Sequence, residues 1–120
     1  MINIIKVIII DDHQIVRDGI KAILSSAENI FIVGEGGSAD DCFEILNNEK
    51  VDVALVDISL PQKSGIELTK ELSARYPDIK VLVLSMYTSE DFIISAINAG
   101  AKGYLPKNTT KKELVNAIVK

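Results

Sequence analysis

Residues 51–65 of the chain read VDVALVDISLPQKSG, and this succession of strand, acid, break and helix start organises the rest of the sequence. The apolar run 53–56 has no polar alternation, which is typical of a central strand covered on both faces. The run ends at the carboxylate of Asp57, and a Leu-Pro pair then interrupts regular structure. Ser64, with Glu67 three residues later, has the spacing of a capping box and predicts a helix start. Asp57 is therefore expected at the carboxyl end of a buried strand, where open α/β sheets bind ligands.

The same alternation of strand and helix runs along the whole chain. Each of five apolar runs is followed by a segment with apolar residues at helical spacing. The predicted strands are residues 4–10, 30–34, 53–56, 81–84 and 102–105, and the helices that follow begin near residues 13, 38, 64, 89 and 110. Strands that alternate with helices over short connections predict a (βα)₅ parallel sheet with helices on both faces.

Composition excludes several classes of protein. A chain of 120 residues is long enough for one domain with a proper core, and 48% hydrophobic with 25% charged residues is a soluble, globular balance. The net charge of −4 argues against direct binding to nucleic acid. No apolar run approaches the roughly 18 residues of a membrane span, and Lys6 and Asp11 leave too short an apolar region for a signal peptide. The single Cys42 cannot form an internal disulfide and is expected in the core, consistent with a reducing cytoplasm.

Chemically reactive side chains follow four of the five predicted strands. They are Asp11 and Asp12, Asp57, Ser85 and Lys107. Because the carboxyl ends of parallel strands share one edge of the sheet, these groups are expected around one cleft. Clustered carboxylates repel one another unless a cation intervenes, and oxygen ligands of this kind suit Mg²⁺. An aspartate beside Mg²⁺ and a lysine is arranged to attack phosphorus and to become an acyl phosphate.

In this order and spacing, the pattern resembles the receiver domain of two-component response regulators, over the whole chain. The matching residues are the acid pair Asp11-Asp12, Asp57 in a D-x-x-[LM]-P-x-x-[SN]-G stretch, Ser85, Tyr104, and Lys107 after Pro106. The Asp-Asp-His opening and residues 15–19 are most similar to receivers fused to a LuxR-type helix-turn-helix output domain. The resemblance implies a flavodoxin-like, doubly wound sheet with strand order 2-1-3-4-5. It also implies that residues 1–120 form the receiver and that any output domain is absent, since Lys120 falls within an amphipathic helix.

The resemblance implies a role for each residue around the cleft. Asp57 would accept a phosphoryl group from a phosphohistidine on a sensor histidine kinase. Asp12 and Asp57 would bind Mg²⁺ directly, with the backbone carbonyl of Ser59, while Asp11 would act through water. Lys107 would pair with Asp57 and then with the phosphoryl oxygens.

The resemblance also implies how the signal leaves the cleft. The Ser85 hydroxyl would take up a hydrogen bond to the phosphoryl group, and Tyr104 would turn inward as Ser85 moves. The Leu105–Pro106 bond falls where the family has a cis peptide, which is expected to aim Lys107 into the cleft. Ser59 and Tyr87 fall at the two positions that tune hydrolysis of the phosphoryl group in the family.

A cytoplasmic switch with defined partners follows from the same resemblance. Its phosphoryl donor would be a sensor histidine kinase, and it would touch DNA only through the missing output domain, with no membrane contact. The free chain is expected to be mainly monomeric and to form weak homodimers when phosphorylated, with the first and last helices as the contact surface.

Two other functions compete with a receiver switch. A Mg²⁺-dependent phosphohydrolase could pass through the same aspartyl-phosphate, but enzymes that resemble haloacid dehalogenases carry a second aspartate two residues after the nucleophile. Ser59 occupies that position here and counts against turnover. A pure interaction module of the same fold is disfavoured because the set of acids, hydroxyl and lysine is complete. His13 is a weak candidate for a phosphoryl carrier or metal ligand, since it begins a helix and no second histidine accompanies it.

Overall fold

The computed structural model describes residues 3–86 and 89–120, in which five strands alternate with five helices. The strands are β1 (Ile5–Ile10), β2 (Ile30–Gly36), β3 (Val53–Asp57), β4 (Lys80–Ser85) and β5 (Gly103–Pro106), and the helices are α1 (Gln14–Leu24), α2 (Ala39–Asn48), α3 (Gly65–Arg75), α4 (Glu90–Asn98) and α5 (Lys111–Val119). All strand pairs are parallel, in the order β2-β1-β3-β4-β5. The predicted flavodoxin-like fold is therefore confirmed.

The core lies on both faces of the sheet, which explains why the strands lack polar alternation. All five residues of the central strand β3 are buried. Ala54 and Val56 face the cluster that includes α2, α3 and α4, whereas Val53 and Leu55 face the cluster that includes α1 and α5. The longest helices have 11 residues. None of the helices within the described ranges is long and apolar enough to cross a membrane.

Side-chain caps begin four of the helices where the sequence pattern predicts them. At the start of α3 the Ser64 hydroxyl accepts a hydrogen bond from the Glu67 N–H at 3.2 Å, and at the start of α5 Thr110 accepts one from Glu113 at 3.2 Å. These contacts satisfy backbone donors that have no partner inside the helix. Similar caps begin α2 at Ser38 and α4 at Ser89. The helix starts predicted at Ser64 and Thr110 are therefore confirmed, and each hydroxyl makes the capping bond expected of it.

The close packing of α3 behind β3 depends on Gly65. Its N–H donates to the Ile58 carbonyl at 2.9 Å. A Cβ at this position would lie 2.1 Å from the Asp57 carbonyl oxygen and 2.6 Å from the Ile58 Cα, which no side chain could accommodate without moving the backbone. The glycine of the quoted stretch therefore allows the helix to begin directly behind the strand that ends at Asp57.

The prediction of a cis peptide at Leu105–Pro106 is wrong, because the described residues contain no cis peptide bond. Pro106 ends the edge strand β5, where a residue without an N–H is tolerated, and pairs with Ser85 of β4. The Lys107 N–H then donates to the Ser85 carbonyl at 2.9 Å. Parallel strand pairing, rather than a cis bond, carries Lys107 to the end of the sheet.

Candidate functional site

Four side chains that could bind a metal meet at the carboxyl ends of β1 and β3. One ligand atom from each of Asp11, Asp12, His13 and Asp57 lies within 4.8 Å of the others. Asp11 and Asp57 are only 1% and 2% exposed, while Asp12 and His13 lie at the surface. The register places them together, since Ile10 of β1 pairs with Val56 of β3 one residue before each acid. The sequence predicted this convergence for the three aspartates.

Lys107 bridges the two buried carboxylates. Its Nζ lies 3.0 Å from Asp11 Oδ2 and 3.2 Å from Asp57 Oδ1. Burial alone lowers the pKa of Lys107, but the hydrogen bond to Asp11 and the charge of Asp57 outweigh burial and raise it above its ordinary value. The ammonium therefore stays charged and partly neutralises the acid cluster.

Burial dominates the electrostatics of Asp57 and raises its pKa above the ordinary aspartate value. The Ser59 N–H, which donates to Asp57 Oδ1 at 3.2 Å, opposes the rise, the charge of Asp11 adds to it, and Lys107 opposes it. The second oxygen, Oδ2, is buried and has no hydrogen-bond partner among the described residues. Asp57 thus has one oxygen held in place and one available to a ligand.

His13 is closer to the acid cluster than the sequence indicated. It is the residue before α1, and its backbone N–H donates to Asp11 Oδ1 at 2.8 Å. Its Nδ1 lies 3.3 Å from Asp11 Oδ1 and 3.1 Å from Asp12 Oδ1. The start of α1 therefore contributes a ring nitrogen to the same surface as the exposed Asp12.

The two residues implied in signal output lie at different distances along the sheet from the acids. Ser85 is fully buried at the end of β4, directly after Leu84, which pairs with Asp57. Tyr104 lies on β5 opposite Val83 and packs, partly buried, against the core cluster that includes Ala96 of α4. The structure therefore brings Ser85 next to the end of β3, whereas Tyr104 lies further back beside α4. The predicted position Tyr87 is outside the described residues.

Sequence reasoning missed the contact between Arg17 and the acid loop. The Arg17 guanidinium donates to the backbone carbonyl of Asp11, and its Nε donates to Glu35 Oε1 at 2.8 Å. Arg17 lies on α1 and Glu35 near the end of β2, so the pattern within each element shows only a polar residue. The sequence did contain one signal for this contact. Arg17 on the helix after β1 and Glu35 on the strand that pairs with β1 carry opposite charges.

Comparison with known proteins places the chain among signalling proteins. The family model described as "Response regulator receiver domain" matches residues 7–119. The transcriptional regulatory protein DegU of Brevibacillus brevis is 39% identical over 116 residues, which cover 97% of this chain and 49% of DegU. The chain thus spans about half the length of the curated relatives it matches.

Two solved structures share the fold closely. A LuxR-family two-component response regulator from Aurantimonas sp. superposes with a TM-score of 0.90 at 28% identity, over 98% of this chain and 84% of that chain. RcsB from Salmonella enterica serovar Typhimurium, bound to the rprA promoter with the phosphomimetic BeF3-, gives 0.87 at 27% identity, over 96% of this chain and 66% of that chain. The likeness extends over nearly the whole of the present chain.

Proposed function

The chain belongs to the response regulator receiver domain family, and on that premise we propose that it is a phosphorylation-dependent signalling switch. Asp57 accepts a phosphoryl group from a sensor histidine kinase with the help of Mg²⁺. The observation that carries the proposal is the state of Asp57, a buried carboxylate with one oxygen held by Lys107 and Ser59. Its other oxygen has no hydrogen-bond partner within residues 3–86 and 89–120. The protein is a phosphoacceptor that assists its own phosphorylation and dephosphorylation, rather than an enzyme with turnover.

The donor set fits Mg²⁺. Asp12 and Asp57 would hold the ion directly with the Ser59 backbone carbonyl, and Asp11 would hold it through water. Support comes from the spacing of the carboxylate oxygens, from the repulsion between Asp11 and Asp57, and from Asp57 Oδ2, which accepts no hydrogen bond from the residues that the structure describes. When bound, Mg²⁺ would neutralise charge on the carboxylates and on the phosphoryl oxygens.

The residues of the cleft perform the transfer by positioning and charge. An ionised oxygen of Asp57 attacks phosphorus, the new O–P bond forms, and the P–N bond to the donor histidine breaks with its electron pair left on nitrogen. Lys107 keeps its proton, favours the ionised form of Asp57, and then pairs with a phosphoryl oxygen.

The state of Asp57 is conveyed through Ser85 and Tyr104. A phosphoryl group adds strong acceptor oxygens, which draw the Ser85 hydroxyl inward. The movement leaves space beside β4 into which the Tyr104 ring turns, and the surface of α4 changes with it. Support comes from the position of Ser85 at the strand end next to Asp57 and from the packing of Tyr104 in the α4 cluster.

The output is DNA-binding regulation of transcription, carried out by a domain outside residues 1–120. DegU is a transcriptional regulatory protein, the chain spans about half of such relatives, and RcsB was captured on a promoter with a phosphomimetic. The net charge of −4 favours an indirect role at DNA. The receiver acts in the cytoplasm without membrane contact, and phosphorylation promotes a homodimer through α1 and α5.

Intact-mass measurement after incubation with acetyl phosphate and Mg²⁺ tests the proposal. We expect a labile adduct of one phosphoryl group, which is absent when the metal is chelated and absent from Asp57→Asn. Asp12→Ala should lose both metal binding and labelling, whereas Asp78→Asn, an exposed aspartate outside the site, should label normally. Steady release of phosphate would indicate a hydrolase. If neither an adduct nor phosphate release were observed, the chain would be an interaction module. Undiminished labelling of Asp57→Asn would show that the acceptor is a different residue.

A further inference from the structure

Arg17 lies outside the acid cluster but contacts the backbone that carries it. The side chain is only 14% exposed, and each of its three nitrogens donates to an acceptor. Nη1 donates to the Asp11 carbonyl, Nε to Glu35 Oε1 at 2.8 Å, and Nη2 to Gln14 Oε1 at 2.5 Å. The planar guanidinium can donate to several separate acceptors in fixed directions, whereas a lysine ammonium at this position would act as a single point charge.

Glu35 orients the guanidinium from the neighbouring strand. It lies on β2 opposite Ile9 of β1, and its Oε2 accepts a hydrogen bond from Lys21 at 2.5 Å. The hydrogen bonds from Lys21 and then from Arg17 hold the pKa of Glu35 below its ordinary value, so the carboxylate is charged. Arg17 of α1 is therefore paired with a charged carboxylate on the sheet, through a hydrogen bond of its own.

The Asp11 peptide groups are held from two sides as a result. The Asp11 N–H donates to the Gly36 carbonyl of β2 at 2.9 Å, and the Asp11 carbonyl accepts from Arg17. That carbonyl belongs to the peptide unit that joins Asp11 to Asp12, so the contact restricts the dihedral angles on either side of it. Asp12 is exposed, and its contact with the His13 ring comes from the next residue of the same loop, so its placement depends chiefly on the backbone that carries both.

We propose that Arg17, oriented by Glu35, is a positioning residue for the Mg²⁺ site, because it fixes the peptide unit between Asp11 and Asp12. This inference rests on the proposed function, since it concerns the metal that the phosphoryl transfer uses. Three carboxylates gathered in one cleft repel one another, and an untethered loop would relax by moving the Asp12 carboxylate outward. Metal binding would then have to reassemble the ligands. Loss of such outer-sphere partners reduces metal affinity by about 10- to 100-fold.

Whether cation affinity rises or falls when Arg17 is replaced distinguishes a positioning role from a purely electrostatic one. Replacing Arg17 by glutamine removes a positive charge near the acids, which by charge alone should strengthen cation binding. A weaker affinity in Arg17→Gln therefore reports the loss of the backbone contact. Lys21→Gln is the matched control: it removes a neighbouring positive charge and another hydrogen bond to Glu35, but leaves the contact between Arg17 and Asp11 intact.

Mn²⁺ serves as a paramagnetic probe of the Mg²⁺ site, and free Mn²⁺ is measured by electron paramagnetic resonance in the unphosphorylated chain. We expect Arg17→Gln to weaken Mn²⁺ binding about tenfold, the lower end of the range for outer-sphere partners. Arg17→Lys keeps the charge but loses the planar guanidinium, and it should weaken binding in the same direction. Lys21→Gln should bind as tightly as wild type or more tightly.

A second measurement without metal follows the loop itself. Amide hydrogen exchange in a chelator should be faster at Asp12 and His13 in Arg17→Gln than in wild type, and unchanged there in Lys21→Gln. Should Arg17→Gln fail to fold by circular dichroism, the folded Arg17→Lys variant provides both measurements. Wild-type affinity in the Arg17 variants would overturn the positioning role and leave the proposed function intact. A wild-type chain that binds no Mn²⁺ would overturn both, which distinguishes the two failures.

Discussion

At Asp57, burial makes the charged form of the side chain unfavourable in the absence of a metal. Because the folded-state pKa is raised, the folded chain binds this proton more tightly than the unfolded chain. The associated stability is present below the unfolded pKa and is lost as the pH rises through the folded pKa. The metal-free protein therefore carries an electrostatic penalty at its candidate phosphoacceptor at neutral pH.

Asp57→Asn should consequently be more stable than wild type at neutral pH in a chelator, because asparagine carries no buried charge. The difference should shrink as the pH falls towards the ordinary aspartate value of 3.8, and it should also shrink when Mg²⁺ is added. Urea unfolding at several pH values measures both effects, with the exposed Asp78→Asn as the control that shows neither. A less stable Asp57→Asn at neutral pH would mean that the contacts of Lys107 and Ser59 outweigh burial.

Two glycines provide a matched pair of substitutions. Gly65→Ala should destabilise the fold by roughly 1–3 kcal/mol, because the added Cβ would overlap the backbone at the end of β3. In Gly19→Ala, in the middle of α1, the added Cβ has no atom of the described part of the chain within 4 Å, and the change should stabilise by roughly 0.5–1 kcal/mol. Urea denaturation gives both free energies of unfolding. Equal effects of the two substitutions would contradict the close approach of α3 to β3.

Among the helices, α5 is held at its end by a side chain from the sheet. Lys80, the first residue of β4, donates from Nζ to the carbonyls of Ala117 at 3.1 Å and Ile118 at 3.2 Å. A cation at a helix C-terminus pairs with carbonyls that lack partners inside the helix and complements the helix dipole. The orientation of the last turn of α5 is thus tied to the sheet.

Lys80→Met should destabilise the chain by about 0.3–1 kcal/mol through this loss. Amide exchange should accelerate in the last turn of α5 and leave the first turn, capped by Thr110, unaffected. Lys112→Met serves as the control, since Lys112 is exposed in the first turn of the same helix. If both substitutions changed exchange equally, the contact from Lys80 would not be what orders the helix end.

The response of α4 to phosphorylation of Asp57 should depend on the hydrogen bond that the Ser85 hydroxyl makes to the phosphoryl group. A hydrogen bond to a charged group contributes on the order of 1.5–3 kcal/mol, which changes a two-state population ratio by roughly ten- to a hundredfold. Ser85→Ala should therefore still accept a phosphoryl group at Asp57 but couple it poorly to α4. Amide chemical shifts of α4 are recorded for wild type and mutant, with and without beryllofluoride. A mutant whose α4 responds as fully as that of wild type would exclude the Ser85 hydroxyl as the relay.

On the scale of the whole molecule, α1 and α5 pack on the same face of the sheet and the other three helices on the opposite face. Each face also exposes apolar side chains: Val119 on α5 is 42% exposed, and Ile94 on α4 is 49% exposed. The proposed dimer uses the face formed by α1 and α5. Substitution of Val119 or Ile94 therefore tests which of the two faces forms the dimer contact.

The chain should sediment as a monomer alone and self-associate weakly with beryllofluoride. Val119→Lys should abolish that association because it places a charge on the proposed surface, while Ile94→Lys should leave it unchanged. An unchanged monomer at high concentration would contradict the dimer. Loss of association in Ile94→Lys alone would move the contact to α4.

Much of the architecture was predictable from local pattern. The unbroken apolar run of β3, the hydroxyl caps at Ser64 and Thr110, and the alternation of strand with helix all depend on residues a few positions apart. Parallel pairing then brings the strand ends to one edge, so the meeting of Asp11, Asp12 and Asp57 also followed. These features rest on short-range sterics, hydrogen bonding and periodic burial, which the order of residues already contains.

Tertiary structure alone decided which atoms meet at that edge. The bridge from Lys107 to both buried acids, the approach of His13 to the acid pair, and the path from Glu35 through Arg17 to the Asp11 carbonyl join elements that are separate in the sequence. The trans Leu105–Pro106 bond belongs to the same class, since pairing of β5 with β4 delivers Lys107 without a cis bond. Such contacts depend on strand register and on the reach of side chains between elements, quantities that no local pattern of residues contains.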